Sequence, residues 1–252
     1  MLEDSIRYQT QGEDWLKRVG IGGGVVFVGL FLGILLFPLV LLLTLQGYML
    51  EVMRRVMAGD TENPPEWGEL DLVATTIDGL RHYGVILPYT IVALLLAGIP
   101  FGGLFLIGAL TGSDILILLG WLVGGLLYFV AIIAAAVVIP VATGNFVRKD
   151  SIVAGFDLGV LRTLITNKTM LKAVLIAFGV NIIASAVGSA LGFTIIGLLA
   201  VPWVQFVFQS AVFYVWADGF ADAYEEEYGE RPLAGTTTSD TDDPASPAEE
   251  PV

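Results

Sequence analysis

The chain has 252 residues, of which 56% are apolar and only 15% charged, and its mean hydropathy is +0.79. A soluble domain of this length carries about 25% charged residues, so a soluble fold is excluded. Apolar runs well beyond the ~20 residues that cross a bilayer read instead as an integral membrane protein. Cysteine is absent, which excludes disulfides, thiolate metal sites and a cysteine nucleophile.

The net charge of −13 is uneven: from Asp218 onward there are eleven acids and one base, Arg231. This Thr/Asp/Ser/Pro/Glu-rich end with scarce lysine predicts a solvated, disordered tail over 218–252. It is the kind of surface expected of a protein from a halophilic organism. Such a tail repels phosphates, so nucleic acid is not an expected partner.

In chain order, residues 1–18 form a polar segment with the acids Glu3, Asp4, Glu13 and Asp14. These acids, and the length of the apolar run that follows, do not fit a cleaved signal peptide. The run Gly20-Ile21-Gly22-Gly23-Gly24 lacks the full dinucleotide fingerprint and follows Trp15-Leu16-Lys17-Arg18 rather than a strand. It reads as close helix packing.

Four windows, 19–50, 82–113, 115–147 and 173–217, contain no Asp, Glu, Lys or Arg. The last would reach roughly 67 Å as one helix, about twice the hydrocarbon thickness, so it must fold back, with Gly192, Thr194 and Gly197 as the natural turn. The expected fold class is therefore all-α. It is a polytopic transmembrane bundle over 19–217 with five spans at 19–46, 85–110, 115–141, 171–191 and 198–217, and with interfacial amphipathic helices on the cytoplasmic side. Solid apolar runs do not fit a transmembrane β-barrel, whose strands alternate.

The connections 111–114 and 192–197 carry no base, whereas Arg54, Arg55 and Arg81 lie between the first two spans and Arg148, Lys149, Arg162, Lys168 and Lys172 between the third and fourth. The basic connections and the C-terminus are thus expected in the cytoplasm, and five spans then leave the N-terminus outside. A re-entrant first segment, broken at Pro38, is the alternative and returns the N-terminus to the cytoplasm.

Leu70, Val73, Ile77 and Leu80 share one helical face, and Ile152, Phe156, Val160 and Leu164 recur every four residues. Each segment precedes a hairpin of two spans, which reads either as a duplicated unit or as two unrelated interfacial helices. Within the spans, Gly29/Gly33, Gly98/Gly102, Gly120/Gly124 and Gly188/Gly192 are spaced for close helix approach. The polar residues Asn181, Ser185, Ser189, Gln205 and Gln209 are candidate bundle-interior positions. Interhelical hydrogen bonding outweighs a pore lining as their role.

Chemistry-bearing motifs are absent. His82 is the single histidine, which cannot build a multi-histidine metal site. There is no zinc-protease, nucleophile-elbow or phosphate-loop motif, and no cofactor is expected. Asn167-Lys168-Thr169 is a glycosylation sequon in the most basic connection, which makes it accidental. No acid or base lies deep in a span, where coupled carriers usually place one. The interfacial carboxylates Glu66, Asp71, Asp78, Asp150, Asp157, Asp218 and Asp222 read as caps and solvated groups at least as well as catalytic ones. Asn63-Pro64-Pro65-Glu66-Trp67 is the most distinctive polar stretch, with Trp67 expected at headgroup depth. Trp67, Asp78, Arg81 and Asp157 are the candidate interfacial or partner contacts.

Gly47-Tyr48 with Arg54-Arg55, then Pro65-Glu66-Trp67 and Asp78-Gly79-Leu80, together with Phe156-Asp157 and Asp218-Gly219-Phe220-Ala221-Asp222-Ala223-Tyr224, resemble the prokaryotic membrane family catalogued as domain of unknown function 4013. The resemblance covers about 20–228 and leaves the acidic tail outside. It implies a multi-span, archaeal membrane protein and brings no activity, substrate or catalytic residue. The expected function is a non-enzymatic scaffold, assembly or envelope-organising factor. Its expected partners are the lipid bilayer and membrane or cytoplasmic proteins. A small transporter or channel running past Asn181, Ser185, Gln205 and Gln209 is the alternative.

Overall fold

A computed structural model describes residues 2–31 and 36–234. All regular elements among them are helical: α1 (Leu2–Arg7), α2 (Trp15–Phe31), α3 (Leu36–Met57), α4 (Leu72–Thr111), α5 (Asp114–Lys149), α6 (Leu158–Leu164), α7 (Lys168–Gly192) and α8 (Ile195–Tyr228), with 3-10 turns at Tyr8–Thr10 and Ile152–Phe156. Among the described residues, four helices are long and apolar enough to cross a membrane: α4, α5, α7 and α8. The chain is a multi-span membrane protein.

Short polar residues start these helices where orphan N–H groups need an acceptor. Asp71 accepts from Val73 and Ala74 at the head of α4, and Ser113 from Leu116 at the head of α5. Asn167 accepts from Thr169 and Met170 before α7, and Thr194 from Gly197 before α8. Gly112, at φ 66°, closes α4 in the left-handed region that suits glycine. Two tight hairpins result, α4–α5 and α7–α8, with their tips at 112–113 and 193–194.

The expected single span 19–46 is instead two helices packed antiparallel, α2 and α3, with Gly29 against Leu42. Pro38 falls in the first turn of α3, where a missing N–H breaks no helical bond. Gly33 of the Gly29/Gly33 pair lies outside the described residues. The glycine run of α2 does serve close packing: Cβ atoms at Gly22 and Gly23 would stand 2.3 and 2.0 Å from the rings of Phe206 and Trp203 on α8.

The core lies at the end of the molecule opposite the hairpin tips, here termed the base. It is built from Tyr48–Met57 of α3, Val141–Val147 of α5, Met170 and Ala173 of α7, and Phe206–Tyr224 of α8. Toward the tips the hairpins are bare: only 11% of the most apolar windows of α4 and α5 is buried. α8 continues through Phe220, Ala223 and Tyr224, all buried, so 218–224 is packed helix rather than tail, and the helix runs on, exposed, to Tyr228. The remainder of the expected tail, from 235, lies outside the described residues.

The two amphipathic segments take different forms. The first is the opening of α4 itself, and its apolar residues face outward: Val73, Ile77 and Leu80 are exposed while Thr75, Gly79 and His82 are buried. The second breaks into the turn Ile152–Phe156 and α6, and here Val160 and Leu164 do face the core. Of the paired small residues, Gly120 and Gly124 receive Phe101 and its neighbours from α4. Gly98, Gly102, Gly188 and Gly192 have nothing within 4 Å of an added Cβ.

Candidate functional site

The residues that carried the family resemblance are scattered in sequence but gather at the base. α3 and α4 cross there almost backbone to backbone. A Cβ at Gly47 would lie 1.8 Å from the carbonyl oxygen of Thr75, and one at Gly79 would lie 1.9 Å from that of Leu43. Only hydrogen fits at either position.

This crossing brings three charged elements together. Arg54 of α3 reaches Asp78 of α4 at 2.5 Å and Glu51 at 3.3 Å. Arg81 bonds Asp78 at 3.0 Å and Asp150, just past α5, at 2.9 Å through its carboxylate and 2.5 Å through its carbonyl. The chain of pairs ties α3, α4 and the end of α5. Beneath it His82 is buried against the Phe146 ring, 6.0 Å between centroids. Gln46 Nε2 donates to His82 Nδ1 at 2.9 Å, which leaves the ring proton on Nε2, facing Thr143 Oγ1 at 2.9 Å.

A second cluster holds the N-terminal segment down. Tyr48 stacks on Trp67 at 4.5 Å, and the indole N–H donates to the carbonyl of Arg18 at 3.1 Å. The Tyr48 hydroxyl lies 2.9 Å from Gln9 Oε1 and 3.0 Å from the Pro65 carbonyl, while Gln9 Nε2 donates to Ser210 Oγ at 2.7 Å. Arg18, only 2% exposed, pairs with Glu66 and donates to the carbonyls of Gln9 and Gln11. Tyr8 packs on Tyr214 of α8, and burial pushes its phenol well above the ordinary range.

On the other flank, Asn145 Nδ2 donates to the Ala154 carbonyl at 2.7 Å, and its Oδ1 accepts from Arg148, whose guanidinium lies 4.6 Å over the Tyr224 ring. Asp157 accepts from the N–H groups of Gly159 and Val160 and pairs with Lys149 at 3.4 Å. The Val160 N–H above all, then Lys149 and the Gly159 N–H, hold its carboxyl below the usual range.

The seven interfacial carboxylates are therefore engaged. Glu66, Asp78 and Asp150 are in ion pairs, Asp71 and Asp157 cap helices, and Asp218 and Asp222 face Arg231 at 3.8 and 3.1 Å. Among the described residues there is no group of three or more His, Asp or Glu side chains that could hold a metal. Trp67 is 8% exposed, a core residue and not a headgroup anchor, because Tyr48 and Phe206 cover its faces. The sequon is occupied by structure: Asn167 caps α7 and donates to Glu226 and Glu227.

The polar positions within the spans are not brought into the interior of this chain. Asn181, Ser185, Ser189 and Gln205 are exposed, and Gln209 is half-buried. Asn181 Nδ2 donates to the Ala177 carbonyl at 3.0 Å and Ser185 Oγ to that of Asn181 at 2.8 Å. α7 turns Ala173, Ala177, Val180 and Ala184 toward the protein instead, since these smaller side chains admit α8 more closely. Gln9, Arg18, Asn145 and Ser210 had no signal in the sequence, because each takes its meaning from a partner distant along the chain or from burial.

The family model described as protein of unknown function (DUF4013) matches residues 30–193. The chain belongs to that family. The matched stretch takes in Gly47, the Pro65-Glu66-Trp67 loop, Asp78-Gly79 and Asp157, which belong to the α3–α4 crossing, the cluster that holds the N-terminal segment and the cap of α6. Asp218-Gly219-Phe220 falls beyond it, as does most of the N-terminal cluster. Among curated proteins and among solved structures, none matches this DUF4013 protein.

Proposed function

We propose that this DUF4013 protein is a non-enzymatic membrane scaffold or assembly factor, with both termini and the base in the cytoplasm. The single observation that carries the reading is the division of labour along the molecule. Buried and ionic groups concentrate at the base, where most are paired within the chain, whereas the hairpin halves toward the tips offer bare faces with open glycines. Packed helices gain by close approach at small residues, so faces left open in one chain suit contact with other membrane helices.

The orientation rests on the bases. Arg54, Arg55, Arg81, Arg148, Lys149, Arg162, Lys168 and Lys172 lie in or beside the base, and the two tips carry none. Packing of Tyr8 on Tyr214 and the Gln9–Ser210 bond put the N-terminal segment beside the base-side half of α8. This supports the re-entrant α2–α3 alternative, which we adopt in place of an external N-terminus.

The transporter reading keeps one observation of its own. Asn181 and Gln205 both lie about 16 Å from the tip of the α7–α8 hairpin, near mid-bilayer depth, and both are exposed in the single chain. Reconstitution separates the two readings. The scaffold reading expects no solute or ion flux above that of empty liposomes. It also expects adducts in cells from a photo-crosslinker placed at Ser185. Flux that Asn181→Leu with Gln205→Leu abolishes, in a protein that still folds, would refute it.

A further inference from the structure

A groove of about 480 Å³ lies between α2, α3 and the first turns of α4, open along one side. Ile21 and Val25 of α2, Val40 of α3, and Leu72 and Ile77 of α4 form its walls, and Trp67 closes its inner face. The volume is that of a ligand site. Its chemistry, however, leaves no place for a polar ligand. The hydroxyls of Thr44 and Thr76 meet each other at 2.5 Å and reach their own helices' carbonyls, Val40 at 2.9 Å and Leu72 at 2.6 Å. The Trp67 N–H is taken by the Arg18 carbonyl. With every wall polar group engaged, only apolar contact is left to offer.

The base-side mouth of the groove has one further feature. Lys17 precedes Ile21 and Val25 by four and eight residues on α2 and so shares their face. The Trp67–Arg18 bond sets this level of α2 beside the inner end of the groove. Lys17 is exposed and makes no ion pair among the described residues. Of the acids around it, Glu66 pairs with Arg18, Glu69 with Arg55 and Asp71 with the N–H groups of α4, and the exposed Glu13 and Asp14, four and three residues before Lys17, form no ion pair with it among the described residues. An apolar channel with an unpaired ammonium one helical turn beyond its lining residue Ile21 complements a molecule with an apolar chain and an anionic end.

We propose that this groove holds one hydrocarbon chain of a membrane phospholipid, admitted sideways from the bilayer, with the lipid phosphate set on the Lys17 ammonium. The inference is independent of the scaffold reading, since a lipid seated here fits a transporter equally. The test is native mass spectrometry of the full chain in detergent, titrated with dioleoyl phosphatidylglycerol. The wild type is expected to retain one lipid at a collision energy that strips the rest. Val40→Trp, which fills the groove, should lose it without a change in melting temperature. Lys17→Gln, on an exposed side chain that cannot disturb packing, should retain it several-fold less, and this variant carries the test alone if Val40→Trp does not fold. Equal lipid counts in all three proteins would overturn the proposal, and so would a lipid-free wild-type dimer, which would mean a second copy in the groove. Loss in Val40→Trp with Lys17→Gln unaffected would overturn the phosphate assignment.

Discussion

Arg18, 2% exposed, forms its ion pair with Glu66, 48 residues further along the chain, and so fastens the start of α2 to the loop between α3 and α4. A buried arginine is stable only when its charge is met. Glu66→Ala should therefore destabilise the protein by about 3 kcal/mol, the lower end for breaking a buried pair, because the Glu66 side chain is still 28% exposed. Denaturant titration in detergent micelles measures this. A loss below about 1 kcal/mol, the range of a surface pair, would mean that the latch does not hold the N-terminal segment.

The glycines divide into two sets that the sequence does not distinguish. Gly79→Ala would set a methyl 1.9 Å from a backbone carbonyl that cannot move without parting α3 from α4. It is expected to cost about 3 kcal/mol or more and to lower the yield of folded protein. Gly98→Ala and Gly102→Ala meet open space and should leave thermal stability unchanged or slightly raised, since alanine favours the helix. Size-exclusion profiles and melting curves of the three variants check the contrast.

Asn167 caps α7 with two N–H bonds and is itself mostly buried. Asn167→Ala should lose about 1–2 kcal/mol, whereas Asn167→Asp keeps the cap acceptor but faces Glu226 and Glu227, so it should also be destabilising through like-charge repulsion. Comparison of the two variants by thermal melting separates the cap from the amide donors. Equal stability of wild type and Asn167→Ala would contradict the cap.

Acid sensitivity follows from Asp157. Its carboxyl is held low, first by the Val160 N–H and then by Lys149 and the Gly159 N–H. A folded pKa below the unfolded value of about 3.9 makes its contribution complete above that value, and the contribution is lost as pH falls through the folded one. Asp157→Asn keeps a capping side chain and removes only the charge. The variant should melt about 1–2 °C below wild type at pH 6, an exposed pair's worth, and the gap should close by pH 2. A gap that widens on acidification would contradict the assignment.

The helical fold was legible because apolar windows free of charge leave no alternative to membrane helices, and the hairpin turns because Thr194 and Gly197 stand where orphan N–H groups need an acceptor. The α2–α3 break was harder. Residues 19–50 are uniformly apolar, so composition alone gives no sign of reversal beyond Pro38 and the glycine run. Periodicity misled at Leu70–Leu80: in water the apolar face of such a helix turns inward, but in a bilayer it can face outward, and the small face of Thr75 and Gly79 packs instead. The same inversion put Asn181 and Gln205 outside the chain's interior. The base was visible as motifs but not as a site, since the pairing of Arg54 with Asp78 or of Tyr48 with Trp67 exists only once the helices have crossed.

Two single cysteines in this cysteine-free chain test the central arrangement most directly, one at Ser113 in the α4–α5 tip and one at Thr10 beside the base. A membrane-impermeant maleimide applied to intact cells should label Ser113→Cys, and should label Thr10→Cys only after the membrane is opened. Labelling of Thr10→Cys on intact cells, or of Ser113→Cys only in opened ones, would contradict a base and N-terminus that share the cytoplasmic side.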